Sequence, residues 1–189
     1  MVQSFALWIT GLPASGKSTV SRAVADACRS RGIDIAVLES DALRAVLLPR
    51  ASYGEDDREA FYRAVAFIGA LLVDHGVPVI FDATGNLRKY RGQARAVINR
   101  FAEVYVECPA EICAARDPKG LYRGARAGLV QALPGVQAPY EPPEQPDLIV
   151  SGLDEPDAAA GRIVRMLEDR GWIARQSGLW PGALFAPFE

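Results

Sequence analysis

The sequence reads Gly11-Leu12-Pro13-Ala14-Ser15-Gly16-Lys17-Ser18 directly after an apolar segment, Phe5 to Ile9, and one intervening Thr10. Two glycines with four residues between them, followed by Lys and Ser, form the pattern of a phosphate-binding loop. Glycine lets the backbone fold tightly, so that successive N–H groups converge on phosphate oxygens. The helix that begins near Lys17 would direct its positive dipole end at the same place. The pattern predicts a nucleoside triphosphate site between a strand and a helix.

Each loop residue has an expected task. Lys17 reaches the β- and γ-phosphates and takes part in catalysis, while the hydroxyl of Ser18 binds Mg²⁺. Apolar residues recur at helical spacing after the loop, which supplies the strand–loop–helix context that the motif requires. An ordinary glycine-rich turn is the alternative. The residues expected to bind ATP in this loop are Gly11, Ala14, Ser15, Gly16, Lys17, Ser18 and Thr19.

The overall composition narrows the class of protein. The 189 residues suffice for one domain with a single substantial core, and the chain is 50% hydrophobic and 23% charged, as in ordinary soluble proteins. A formal net charge of −2 argues against a general binder of nucleic acid polymers. No apolar run approaches the roughly 20 residues that cross a bilayer, and a secretory signal pattern is missing. Three cysteines without metal-ligand spacing favour reduced thiols in a cytoplasmic protein.

Strand and helix patterns alternate along the chain, which is typical of a parallel sheet covered on both faces. We therefore expect a three-layer α/β fold of the P-loop type with five parallel strands, helices on both faces and a lid. Strands are predicted at Phe5–Thr10, Ile33–Leu38, Val77–Phe81, Ala102–Glu107 and Leu148–Val150. Helices are predicted at Lys17–Arg31, Asp41–Leu48, Asp56–His75, Leu87–Arg100 and Pro156–Arg170.

The regular pattern fails between residues 116 and 146, which are rich in Pro and Gly and carry several basic residues. Long irregular loops in compact domains are usually functional or disordered. Beside a triphosphate site, such a segment is typical of a lid that closes over phosphates and excludes water. We expect Arg116 and Lys119 of this lid to contact the nucleotides, residues 1–173 to form one kinase domain, and residues 174–189 to form a C-terminal tail.

Phosphoryl transfer also needs a carboxylate near the acceptor hydroxyl and a group that holds the metal ion. Glu39 and Asp41 follow the second predicted strand and are candidate catalytic acids, with Asp41 the better base; capping of the next helix is an alternative role for Asp41. Asp82 follows the third strand, where it either orients Mg²⁺ through water or merely begins a loop. Arg88 and Arg91 could bind an anionic acceptor bidentately.

From residue 5 to about residue 173, the sequence resembles the adenylylsulfate kinase family. The most specific part is the block Arg116-Asp117-Pro118-Lys119-Gly120-Leu121-Tyr122 with Ala138-Pro139-Tyr140-Glu141, which is similar to the lid of that family. The resemblance implies transfer of the γ-phosphoryl group of ATP·Mg²⁺ to the 3′-hydroxyl of adenosine 5′-phosphosulfate by a homodimer. It also implies that Asp41 lies by the acceptor hydroxyl, that Arg44 and Arg58 contact the sulfonucleotide, and that the lid lysine covers the nucleotides.

Departures from the family pattern gather around the acceptor, so we expect a divergent acceptor site. Glu39-Ser40-Asp41 stands for the usual Asp-Gly-Asp, Phe61 for an Asn, and Gly85-Asn86-Leu87-Arg88 for Ser-Pro-Tyr-Arg, while Tyr53 and Leu133 align with two aromatic residues. A different acceptor, such as a cytidine diphosphate derivative or a small hydroxylated metabolite, is the alternative, and a regulatory nucleotide-binding protein is a third. The predicted substrate-binding residues are Arg44, Tyr53, Arg58, Phe61, Arg88, Lys119 and Leu133.

Overall fold

The computed structural model describes residues 4–49 and 54–175. In this part of the chain, the strands are β1 (Ala6–Thr10), β2 (Ala36–Glu39), β3 (Val79–Asp82), β4 (Phe101–Glu107) and β5 (Leu148–Ser151). The helices are α1 (Lys17–Arg29), α2 (Ser40–Leu47), α3 (Glu55–Asp74), α4 (Arg88–Val97), α5 (Ala110–Arg116), α6 (Leu121–Arg126) and α7 (Pro156–Asp169). None of the helices described is long and apolar enough to span a membrane.

The five strands form one parallel sheet in the order β2-β3-β1-β4-β5, which confirms the predicted fold class. All residues of the central strand β1 are buried, as expected for a strand covered on both faces. The register pairs Asp82 at the end of β3 with Ile9 of β1 and with Glu39 of β2. The carboxyl ends of these strands therefore meet at the sheet edge from which the loop between β1 and α1 emerges.

Side chains alternate across the sheet and build a core on each face. Leu7 and Ile9 of β1 point into a core that α1 and α7 complete. Trp8 points to the opposite face, where it stacks on Phe81 at 4.9 Å between ring centroids in the core formed with α3 and α4. Helix α3 lies so close to this face that a Cβ at Gly69 would be 2.1 Å from Cζ of Phe81. The two cores fix the strands whose ends carry the site.

One local expectation was wrong. The segment 116–146 was predicted to lack regular structure, yet it contains α6, and α5 leads into it. The carboxylate of Asp117 accepts hydrogen bonds from the backbone N–H groups of Tyr122 and Arg123 at 3.0 and 2.9 Å, which stabilises the start of α6. A third small core surrounds this helix, and it consists of Cys108, Cys113, Tyr122, Ala125 and Leu133. Of the predicted tail, residues 176–189 lie outside the described part of the chain.

Candidate active site

The loop between β1 and α1 needs both of its glycines. A Cβ at Gly11 would lie 2.6 Å from Oγ of Ser15 and 2.6 Å from the carbonyl oxygen of Val106. Gly16 caps α1 with a φ of 104°, a conformation that L side chains rarely adopt. The hydroxyl of Ser15 is buried and has no hydrogen-bond partner among the described residues. A buried donor left unpaired inside such a loop fits a site built for phosphate oxygens.

Lys17 lies at the start of α1, and its Nζ donates to the carbonyl oxygen of Leu12 at 2.7 Å, across the loop. Burial lowers the pKa of Lys17 to about 8, although the nearby carboxylates of Asp82 and Asp41 oppose this effect. A multiply charged anion beside this buried ammonium group would stabilise its charged form. This placement agrees with the predicted role at the β- and γ-phosphates, which stays a prediction. Of the other loop residues, Thr19 is exposed.

The residues predicted to hold Mg²⁺ lie side by side. Asp82 is buried, and burial raises the pKa of its carboxyl group, while a hydrogen bond from the hydroxyl of Ser18 opposes that shift. Hydroxyl and carboxylate oxygens are the hard donors that Mg²⁺ accepts, usually together with waters and substrate phosphates. The described residues contain no group of three His, Cys, Asp or Glu that could hold a metal ion unaided. The pair therefore fits an ion that arrives with a nucleotide.

The lid reaches the candidate base. Nζ of Lys119 lies 2.5 Å from Oδ2 of Asp41 in the first turn of α2, and this contact raises the pKa of Lys119. Both side chains are exposed, so an incoming substrate can reach them. Glu39 ends β2 and lies 3.8 Å from Arg22 of α1, with nearly half of its side chain exposed. The structure thus brings Asp41, Lys17 and Lys119 together, and the charge of Glu39 acts on Lys119 and Asp82 from the end of β2.

Two of the arginines predicted to bind the acceptor, Arg44 and Arg58, are buried. The guanidinium carbon of Arg44 is 3.9 Å from the centroid of the Phe61 ring, so the ring supports this cation from below. Arg58 of α3 donates to Oδ1 of Asn86 at 2.9 Å and to the carbonyl oxygen of Ala132 at 2.5 Å. Phe61 is only 1% exposed. Its predicted direct contact with an acceptor stays a prediction, and the structure shows it acting on Arg44 instead.

Leu133 is likewise buried, at 4% exposure, within the small core of the lid. The structure does not bring its side chain to an open surface, so its predicted contact with an adenine base also stays a prediction. Tyr53, the other candidate for that contact, lies outside the described residues.

Arg88 and Arg91 brace the far end of the lid. Nε of Arg88 donates to the carbonyl oxygen of Pro142 at 2.8 Å, and its Nη1 lies 2.5 Å from the carboxylate of Glu144. Arg91 is buried and donates to Glu103, to the carbonyl oxygen of Gly85 and, at 2.8 Å, to that of Glu141. The suggestion that Arg91 binds an acceptor anion needs correction, because protein oxygens occupy its guanidinium group. Substrate binding by Arg88 stays a prediction.

The other end of the lid is tied to the phosphate loop. The hydroxyl of Tyr122 donates to the carbonyl oxygen of Pro13 at 3.0 Å. Nη1 of Arg116, at the end of α5, donates at 2.8 Å to the carbonyl oxygen of Gly152, which follows β5. A Cβ at Gly152 would lie 2.2 Å from the carbonyl oxygen of Ser15. Sequence reasoning assigned nothing to Gly152, and no local pattern marks it, because only the fold brings it against the loop.

Known proteins are similar to this chain over most of its length. The sequence profile of the family described as adenylylsulphate kinase matches residues 3–151. The adenylyl-sulfate kinase of Synechococcus sp. (strain JA-2-3B'a(2-13)) is 38% identical over 168 residues, which cover 88% of this chain and 96% of that protein. The corresponding protein of Synechococcus sp. (strain JA-3-3Ab) is 40% identical with the same coverage.

Comparison with solved structures leads to the same family. The Mycobacterium tuberculosis APS kinase CysC, solved in complex with AMPPNP and APS, is 35% identical and superposes with a TM-score of 0.84, over 89% of this chain and 99% of that chain. Shikimate kinase from Aquifex aeolicus, at 16% identity and a TM-score of 0.52, shares the fold alone. The sequence match over most of its length places this chain in the adenylylsulphate kinase family.

Proposed function

We propose that this protein transfers the γ-phosphoryl group of ATP to the 3′-hydroxyl of adenosine 5′-phosphosulfate. The observation that carries the proposal is the meeting of the lid with the candidate base. Lys119 contacts Asp41 at the sheet edge that also carries Lys17 and the phosphate loop. A phosphate-binding loop, a carboxylate and a cation in one place are the parts that phosphoryl transfer requires.

In the proposed reaction, the loop N–H groups and Lys17 bind the β- and γ-phosphates of ATP. Ser18 and, through water, Asp82 would hold Mg²⁺, and the ion would neutralise charge on the phosphates when bound. Asp41 accepts the proton of the 3′-hydroxyl as the oxygen of that hydroxyl bonds to the γ-phosphorus. The bond from the γ-phosphorus to the β,γ-bridging oxygen breaks, and ADP leaves. Lys119 and Arg116 act on the phosphates from the lid.

Arg44 and Arg58 bind the phosphate and sulfate groups of the acceptor. Each is held by a side chain that departs from the family pattern, Phe61 under Arg44 and Asn86 beside Arg58. We therefore propose an acceptor site that recognises the same sulfonucleotide through differently supported arginines. Tyr53 and Leu133 would lie nearest the adenine base of the acceptor, and Arg88 would bind the acceptor at the edge of its site.

The remaining parts of the proposal concern organisation. Residues 1–173 would work as one kinase domain whose lid spans residues 116–146, within a cytoplasmic homodimer, and residues 174–189 would form a tail. Light scattering on the purified protein measures the mass in solution and would contradict this arrangement if it returned that of a monomer, about half the expected value.

A coupled assay of ADP release tests the activity, with adenosine 5′-phosphosulfate, cytidine diphosphate derivatives and small alcohols offered separately. We expect rapid, magnesium-dependent ADP release only with the sulfonucleotide, and a product heavier by one phosphoryl group in mass spectrometry. The variant Lys17→Met serves as the matched control for contaminating kinases. Turnover of another acceptor in preference to the sulfonucleotide would overturn the assignment of the acceptor while leaving the kinase chemistry intact.

A further inference from the structure

The side chain of Asn86 joins three parts of the site. It lies in the loop between β3 and α4 and is 2% exposed. Its Oδ1 accepts from Nη1 of Arg58 at 2.9 Å, and its Nδ2 donates to the carbonyl oxygen of Pro139 in the lid at 3.0 Å. The backbone of Asn86 adds a bond, since its carbonyl oxygen accepts from the N–H of Glu141 at 2.8 Å. One buried residue thus links an acceptor-side arginine to the lid.

Arg58 is held from its other side by the lid itself. Its Nη2 donates to the carbonyl oxygen of Ala132 at 2.5 Å. Ala132 has a φ of 55°, a backbone conformation that costs free energy in any residue other than glycine. Such a conformation persists only where surrounding contacts hold it, and the bond from Arg58 is one of those contacts. The guanidinium group is therefore clamped between an amide of the sheet edge and a carbonyl of the lid.

The amide chemistry of Asn86 suits this position in two ways. Its two ends have opposite polarity, and each end meets its complement, a donor on Arg58 and an acceptor on Pro139. A neutral amide also leaves the charge of Arg58 undiminished, whereas a carboxylate in the same place would neutralise it. An arginine oriented by Asn86 thus keeps its attraction for an anionic substrate.

From this geometry we infer that Asn86 is a positioning residue, which fixes Arg58 for the anionic group of the acceptor and couples that arginine to lid residues 132–141. The inference rests on the proposed function, because it concerns binding of the phosphosulfate group. Asn86 itself touches no reacting atom. Its contribution passes entirely through Arg58 and the lid.

Steady-state kinetics of Asn86→Leu test this role. Loss of a hydrogen bond to a charged group predicts a rise of about tenfold to a hundredfold in KM for adenosine 5′-phosphosulfate. KM for ATP should stay within about twofold of the wild-type value, since the bond does not touch the donor loop. Gln93→Leu is the matched control, because this amide of α4 binds a different residue of α3, Glu59, and that bond does not involve Arg58. We expect wild-type kinetics from that control.

A double-variant cycle with Arg58→Lys isolates the coupling. If Asn86 acts through Arg58, adding Asn86→Leu to Arg58→Lys changes KM for the acceptor by less than about twofold. Asn86→Asp keeps a hydrogen-bond acceptor for Arg58, but it replaces the donor to the carbonyl oxygen of Pro139 by a carboxylate oxygen. Because that carboxylate would also neutralise the charge of Arg58, this variant should raise KM for the acceptor at least as much as Asn86→Leu does, together with a lower kcat from a poorly closed lid.

These measurements distinguish a failure of the positioning role from a failure of the proposed function. Equal rises in both KM values for a folded Asn86→Leu, or effects that multiply in the double variant, would overturn the positioning role while wild-type activity upholds the proposed function. A wild-type protein that does not phosphorylate the sulfonucleotide would overturn both. Binding of AMPPNP, measured by calorimetry, reports whether each variant retains a folded donor site.

Discussion

Gly152 offers a direct test of how the phosphate loop is supported. The residue lies behind the loop, and the Cβ of an alanine there would be 2.2 Å from the carbonyl oxygen of Ser15 and 3.0 Å from Cβ of Cys108. Carbon and carbonyl oxygen atoms normally approach to about 3.3 Å, so Gly152→Ala requires a displacement of about 1 Å. The backbone of Gly152 cannot easily give way, because its N–H donates to Glu107 at 2.7 Å and its carbonyl oxygen accepts from Arg116.

The size of the effect follows from this displacement. Overpacking by one methyl group costs about 1–3 kcal/mol, and each kcal/mol lowers Tm by about 2–4 °C in a protein of this size. Gly152→Ala should therefore melt about 2–12 °C below the wild type. A misplacement of about 1 Å near a reacting group can reduce turnover by about a hundredfold. We expect a loss of that order in kcat, together with weaker binding of AMPPNP.

Scanning calorimetry, titration calorimetry with AMPPNP and ADP release measure the three quantities. Gly161→Ala is the matched control, since nothing lies within 4 Å of a Cβ at this position in α7. Replacing glycine inside a helix should stabilise that variant by about 0.5–1 kcal/mol without changing the kinetics. Wild-type stability and nucleotide affinity in Gly152→Ala would refute the view that Gly152 packs tightly against the phosphate loop.

Three further predictions concern the charged residues. Burial lowers the pKa of Lys17 to about 8, whereas the unfolded chain keeps 10.5. The unfolded state therefore binds more protons between these values, and the free energy of unfolding should rise with pH across that window. Denaturant titrations of Lys17→Met should show a weaker pH dependence, and an unchanged pH dependence would contradict the burial effect. Asp41→Asn should lower kcat by about 10²- to 10⁴-fold while calorimetry finds AMPPNP affinity nearly unchanged, and a fall in that affinity alone would exclude Asp41 as the base. Phe61→Leu removes the ring that contacts Arg44, a contact of up to about 2 kcal/mol, and should raise KM for the acceptor up to about thirtyfold. Phe67, on the same helix, is exposed, so Phe67→Leu should leave KM unchanged. Equal KM values in the two variants would show that the Phe61 ring does not support Arg44.

The fold could be predicted because it depends on local patterns. An apolar strand, a glycine loop and a helical repeat occupy consecutive residues, and alternation of such units leads to a parallel sheet. The short helix α6 escaped prediction because individual side-chain contacts, rather than a helical repeat of apolar residues, stabilise it. The carboxylate of Asp117 holds its first N–H groups, and Tyr122 anchors it to the carbonyl of Pro13, 109 residues away. Neither contact leaves a periodic pattern in a segment dense in Gly and Pro.

The two halves of the candidate site differ in the same way. The donor half is a run of consecutive backbone groups, so a motif of eight residues describes it. The proposed acceptor half consists of side chains from α2, α3, the loop after β3 and the lid, and their contacts depend on tertiary structure. Arg58 and Arg91 are indistinguishable as chemical groups in the sequence. Arg91 meets the carboxylate of Glu103 and two carbonyl oxygens, while Arg58 meets the neutral amide of Asn86 and the carbonyl oxygen of Ala132. These partners come from the tertiary structure, so residue type alone could not separate the two arginines.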